Sequence, residues 1–188
     1  MTIEIDDAGT GDLVGNAFIG LLKKESGELV FKTLPVTLFQ GENWKNKKPL
    51  KETVKLVREG LNELNFDIQS EKVELCRGNI FDEVRNYFIE EGINYEDSIV
   101  EGKLQDAVEG KLVEHLRNDI GIRSKKLTHK SGARRFFVLF NWVCYDVFQR
   151  EKFVKSGFKK WNTVWRDRAI EKYNKIKKSK KKKNHHTQ

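Results

Sequence analysis

The stretch IEIDDAGTGDLVGNAFIGLL, residues 3–22, restricts the fold more than any other part of the chain. An apolar segment over 3–6 ends on two adjacent acids, Asp6 and Asp7. Gly9, Gly11 and Gly15 break the chain at once, and a second apolar segment covers 17–22. Two β-forming runs joined by a glycine-rich turn predict antiparallel neighbours. Repulsion and desolvation both oppose two like charges where a buried strand runs out, unless something positive sits there.

The rest of the chain alternates strands and helices. ESG at 25–27 predicts a hairpin turn, and 28–34 a third strand ending at Pro35. Pro49 suits a first helical turn. Leu50, Val54, Leu56, Val57, Leu61 and Leu64 then recur with helical period over 50–64. A fourth strand is expected at 72–76, a helix at 82–91 stopped by Gly92, and a fifth strand at 95–102. Helices over 103–116, 134–155 and 159–173 complete the pattern. Strands four and five follow helical crossovers and are expected parallel to strand one. The fold class is therefore α/β: a mixed five-stranded sheet, three strands antiparallel and two parallel, with helices on both faces. A chain of 188 residues suits one domain, assigned to 1–173, and a lysine-rich tail at 174–188 is expected to be disordered.

Net charge is +8. From Lys172 onward there are eight lysines and no acid, so the body is nearly neutral. Such a tail attracts polyanions by counterion release. No apolar run approaches the roughly 20 residues of a membrane helix, and the acidic N-terminus lacks the pattern of a secretory signal. A cytoplasmic protein without a membrane partner is expected, with Cys76 and Cys144 as free thiols. No spacing supports a structural zinc site, a Walker loop or a nucleophilic triad.

The element order resembles the ribonuclease H-like superfamily over about residues 1–150. Ile5-Asp6-Asp7-Ala8-Gly9-Thr10-Gly11 resembles the I-D-E-A-G-R-G signature that opens type 2 ribonucleases H, in which both acids bind divalent metal. Val73-Glu74-Leu75 resembles the fourth-strand acid of RuvC-type junction nucleases. Thr10 stands where type 2 ribonucleases H have arginine, and Asp12 where they have proline, which argues against specificity for ribonucleotide junctions. A similar glycine turn occurs in the sugar kinase, heat-shock ATPase and actin superfamily, but those proteins need a second subdomain for which this chain is too short.

The resemblance implies a Mg2+- or Mn2+-dependent nuclease acting on structured nucleic acid, either an RNA/DNA hybrid or branched DNA. Two ions roughly 3.5–4 Å apart can activate water and stabilise the leaving oxygen, and magnesium prefers carboxylates. Asp6, Asp7, Glu74 and Asp146 are the candidate catalytic acids, and Asp6, Glu74 and Asp146 the candidate metal ligands. In a regular strand Asp7 points away from Asp6, so it joins only if the backbone twists at the turn. Glu74, between Val73 and Leu75, is costly unless metal-bound or paired with Arg77 or Lys72. Asp146 in the apolar run FFVLFNWVCYDVF is either a ligand or a partner of Arg150. Glu101 and Asp106 read as solvent-facing or capping residues.

The loop 123–135 carries six basic side chains. Lys125, Lys126, Lys130, Arg134 and Arg135 are candidate phosphate contacts, and His129 is a candidate proton donor or a solvated residue. Trp161 and Trp165 suit either base stacking or anchorage to the core. RuvC-type enzymes work as dimers, which extends the expectation to a homodimer. Two other functions compete. One is a non-catalytic nucleic-acid-binding module of the same fold, and the other is a nucleotide- or phosphate-binding protein using the 9–15 turn.

Overall fold

The computed structural model describes residues 1–128 and 132–184. The expected hairpins pair β1 (Thr2–Ala8) with β2 (Ala17–Lys23), and β2 with β3 (Leu29–Leu34), both antiparallel. A 3-10 turn and the short helix α1 (Gly41–Lys45) lead into α2 (Lys48–Glu63). The crossover through α2 brings β4 (Lys72–Cys76) parallel to β1, and α3 (Asp82–Glu90) brings β5 (Tyr95–Ser98) parallel to β4. The sheet order is β3-β2-β1-β4-β5, the mixed sheet that the sequence predicts.

Side-chain alternation gives each face its own core. Odd-numbered residues Ile3, Ile5, Ile19, Leu21, Val73 and Leu75 pack under α2 and α3 with Val57, Val84 and Phe88. On the other face lies α4 (Lys103–Asn118), which with Ala8 and Phe18 shares a second core with α5 (Gly132–Tyr145) and the C-terminal residues. Two glycines set these helix–sheet distances. A Cβ on Gly60 would lie 2.6 Å from the Leu21 side chain, and one on Gly20 would lie 2.8 Å from Leu104.

Three stretches depart from expectation. The helix predicted over 134–155 breaks at Asp146 (φ −156°, ψ 75°), a residue type favoured at helix starts. It is followed by α6 (Val147–Arg150) and a 3-10 turn. The chain then extends so that Val154 bridges Val14. Trp161–Trp165 form a π-helical turn leading into α7 (Arg166–Asn184). Residues 174–184, expected to be disordered, continue that helix; lysine is a good helix former, and Lys177 lies 4.7 Å from the Tyr173 ring centroid. His129, Lys130 and Ser131 lie outside the described residues. Among the described residues no helix is long and apolar enough to cross a membrane, and Cys76 and Cys144 are free thiols.

The glycine contacts predict opposite outcomes for two substitutions. Gly60→Val forces α2 off β2 and lowers unfolding free energy by about 1–3 kcal/mol, read from the urea midpoint. Gly110→Ala in α4, where a Cβ meets nothing within 4 Å, raises it by about 0.5–1 kcal/mol.

Candidate metal centre

Because β1 and β4 are adjacent and parallel, their C-terminal ends lie side by side. The register Ile5↔Leu75, continued by one residue, sets Asp6 level with Cys76. Asp6 is only 5% exposed. Its carboxylate accepts hydrogen bonds from the Cys76 thiol and the Asp7 backbone N–H. Asp7 leaves the strand on the opposite face, yet at the strand end the three groups converge. Ligand atoms of Asp6, Asp7 and Cys76 all lie within 4.8 Å of one another, a group able to hold a metal ion. Thr10 Oγ1 donates to Asp7 Oδ2 at 2.6 Å. Asp7 Oδ1 occupies space that a Cβ on Gly78 would enter at 2.8 Å, so the glycine after β4 makes room for the carboxylate.

Burial raises the Asp6 carboxyl above its ordinary value, opposed by the two hydrogen bonds it accepts. Asp7 is pushed up to about 6, first by burial and then by the charges of Asp6 and Glu109; the Thr10 hydrogen bond and Lys155 pull the other way. The Cys76 thiol is pushed up to about 12 by burial and by Asp6. It therefore keeps its proton and serves as a hydrogen-bond donor to Asp6. In the metal-free protein the thiol is thus a donor to Asp6, and the oxygen donors open to a cation are the two carboxylates. That set fits a hard, oxygen-seeking ion.

The turn that follows the acids is tied down from the far end of the chain. Lys155 is fully buried, and its Nζ donates to the carbonyls of Gly9 (2.6 Å) and Asp12 (3.2 Å). Burial lowers its pKa to about 8, with Asp12 opposing. The backbone adds two bonds: Gly15 N–H donates to Phe153 O and Lys155 N–H to Leu13 O, each at 2.9 Å. Gly9 itself requires glycine, with φ +84° and Leu112 2.8 Å from where a Cβ would stand. Beside the turn, Arg135 Nε donates to Asp12 at 2.9 Å and Nη1 to Glu109 at 2.7 Å.

Of the acids singled out by sequence, Asp6 and Asp7 come together and the other two do not join them. Glu74 shares the face of Asp6 and Cys76 but lies two residues earlier, about 7 Å along the strand. There it pairs with Lys24 (3.1 Å) and Lys72 (3.4 Å), the ion-pair alternative. Asp146 occupies the N-cap position of α6 without a side-chain capping bond, near the charge of Lys177, and Arg150 instead donates to the Trp142 carbonyl. Arg135 is spent on Asp12 and Glu109 rather than held out for phosphates. Lys125 and Lys126 are exposed on a 3-10 turn anchored by buried Leu127, and Arg134 is exposed in the first turn of α5. Lys130 and His129 lie outside the described residues. Trp161 is buried and Trp165 packs edge-on against Phe136 and Phe140, so both anchor the core. Sequence reasoning missed Cys76, Gly78, Glu109 and Lys155. For Cys76 the signal was available, since parallel pairing of strands one and four sets it level with Asp6.

No protein-family model matches the chain, and comparison with curated proteins finds no match.

Two outcomes follow for the metal-free protein. Asp7 has a folded-state pKa of about 6 against 3.8 unfolded, so its favourable contribution is full below 3.8 and is lost as pH rises through about 6. Asp7→Asn in chelator therefore melts with wild type at pH 3.5 and several degrees above it at pH 8, by calorimetry. Lys155→Met orphans two buried carbonyls and costs about 1–3 kcal/mol in denaturant titration.

Proposed function

We propose that this chain is a metal-dependent nuclease of the ribonuclease H-like fold that hydrolyses phosphodiester bonds in structured nucleic acid. The observation that carries this is the convergence of the Asp6 and Asp7 carboxyls at the C-terminal end of the central strand, in a sheet of order β3-β2-β1-β4-β5. Open α/β sheets bind ligands at the carboxyl ends of their strands. Asp6 and Asp7 would hold Mg2+ or Mn2+, which when bound supplies a water of lowered pKa and offsets phosphate charge. With Glu74 and Asp146 held elsewhere, the two carboxylates suit one ion.

The protein's own groups do the rest. Thr10 Oγ1 donates to Asp7 Oδ2 and fixes that carboxylate for the ion. Lys155 holds the turn carrying Thr10 in place. Arg117, Arg123 and Lys125 line a shallow basin of about 600 Å3 and supply phosphate contacts without base preference. The pairing of Glu74 with two lysines favours one competing reading, a non-catalytic nucleic-acid-binding module.

The test is Mn2+- or Mg2+-dependent cleavage of an RNA/DNA hybrid and a four-way DNA junction. Wild type cleaves at least one of them, and Asp6→Asn loses cleavage by more than a hundredfold while keeping low-salt binding. Cleavage undiminished in Asp6→Asn rejects the site. Salt-sensitive binding with no turnover and no manganese-induced thermal shift selects the non-catalytic module.

A further inference from the structure

A cavity of about 820 Å3 shares two walls with the acidic centre. Thr10 and Gly11 of the turn after β1 line it, and so do Asn79 and Ile80 of the turn after β4. Thr10 is the residue bonded to Asp7, and Gly78, just before Asn79, is the one against which Asp7 rests. The cavity therefore opens one side chain away from the carboxylates, within the size range of sites for small organic groups.

Its far wall is aromatic. The Trp44 ring stacks near Phe39 (centroids 6.1 Å) and meets Phe158 edge-on at 5.1 Å. It packs so closely on Gly157 that a Cβ there would come within 2.4 Å. Although braced on these sides, Trp44 remains 37% exposed. Lys45, paired with Glu42 at 2.6 Å, and Lys47 also line the cavity. Lys47 has no ion-pair partner among the described residues, and it adopts a left-handed backbone (φ 53°), which is uncommon outside glycine. Asp82 in the same lining is paired with Arg85 at 3.1 Å. A rigid, half-open indole, a lysine in the wall and an adjoining acid pair match a planar base attached to a phosphate. An apolar peptide would leave Lys47 unused.

We infer that this cavity receives one unpaired nucleobase of the strand whose phosphate lies at Asp6 and Asp7. The inference rests on the nuclease reading and narrows its substrate to nucleic acid with at least one unstacked nucleotide beside the cleaved bond. Base stacking on an aromatic platform is sequence-tolerant, so the cavity selects for unpairing rather than for a particular base.

The experiment measures binding without turnover, in chelator, using Asp6→Asn. The probe is a short single-stranded DNA with one 2-aminopurine, compared with the same strand carrying an abasic site and with adenosine monophosphate alone. The intact strand is expected to quench 2-aminopurine fluorescence and to bind about tenfold more tightly than the abasic strand. Trp44→Ala removes that difference. Gly11→Leu, placed where a Cβ meets nothing within 4 Å, fills the mouth and removes it without disturbing the aromatic packing. Equal affinity for intact and abasic strands overturns the inference, as does quenching unchanged in both variants. Adenosine monophosphate binding as tightly as the strand overturns it in favour of a free-nucleotide site. Because no cleavage is read, these outcomes are independent of whether the wild-type protein proves to be a nuclease.

Discussion

A single buried ammonium holds the two ends of this protein in register. Lys155 reaches under the turn that follows β1 and satisfies carbonyls of Gly9 and Asp12. Desolvating a lysine this completely is costly, and burial lowers its pKa accordingly. The cost is offset because the same contact fixes the turn bearing Thr10, and Thr10 fixes Asp7. The bridge between Val14 and Val154 runs alongside, so backbone and side chain act together.

Around that contact the charges are sorted by face and by depth. At the open end of the sheet, Glu4, Glu74, Lys24 and Lys72 neutralise one another in partial contact with solvent. At the other end, the Asp6 and Asp7 carboxylates accept from a thiol, a backbone N–H and a hydroxyl, with the Lys155 ammonium acting from farther off. Among the described residues neither carboxylate forms a direct ion pair with a cationic side chain. This asymmetry along one strand separates the acid pair from the ion-pair ladder. The second network, Asp12–Arg135–Glu109, fastens α4 and α5 to the turn.

The sheet was legible because its signals are local: alternation, a glycine turn and helical crossovers fix order and direction. The acid pair was legible for the same reason, since both residues sit where a strand meets that turn. Glu74 misled because its apolar neighbours mark a strand but not the position along it. Two residues of register separate a solvated ion pair from the centre. Asp146 misled because an apolar run conceals a break that tertiary packing imposes. Lys155 was invisible: its partners are carbonyl oxygens 143 and 146 residues away, and no side-chain pattern announces a backbone acceptor.

The order in which the chain is made gives Lys155 a further meaning. All five strands are complete by Ser98, and both carboxylates belong to the first. The ammonium that locks their turn arrives 57 residues after the last strand ends, at Lys155. A nascent polypeptide can thus build its scaffold during translation before the turn after β1 gains its buried ammonium. Locking of the turn beside the acidic centre waits until the segment beyond the break at Asp146 has emerged and folded back.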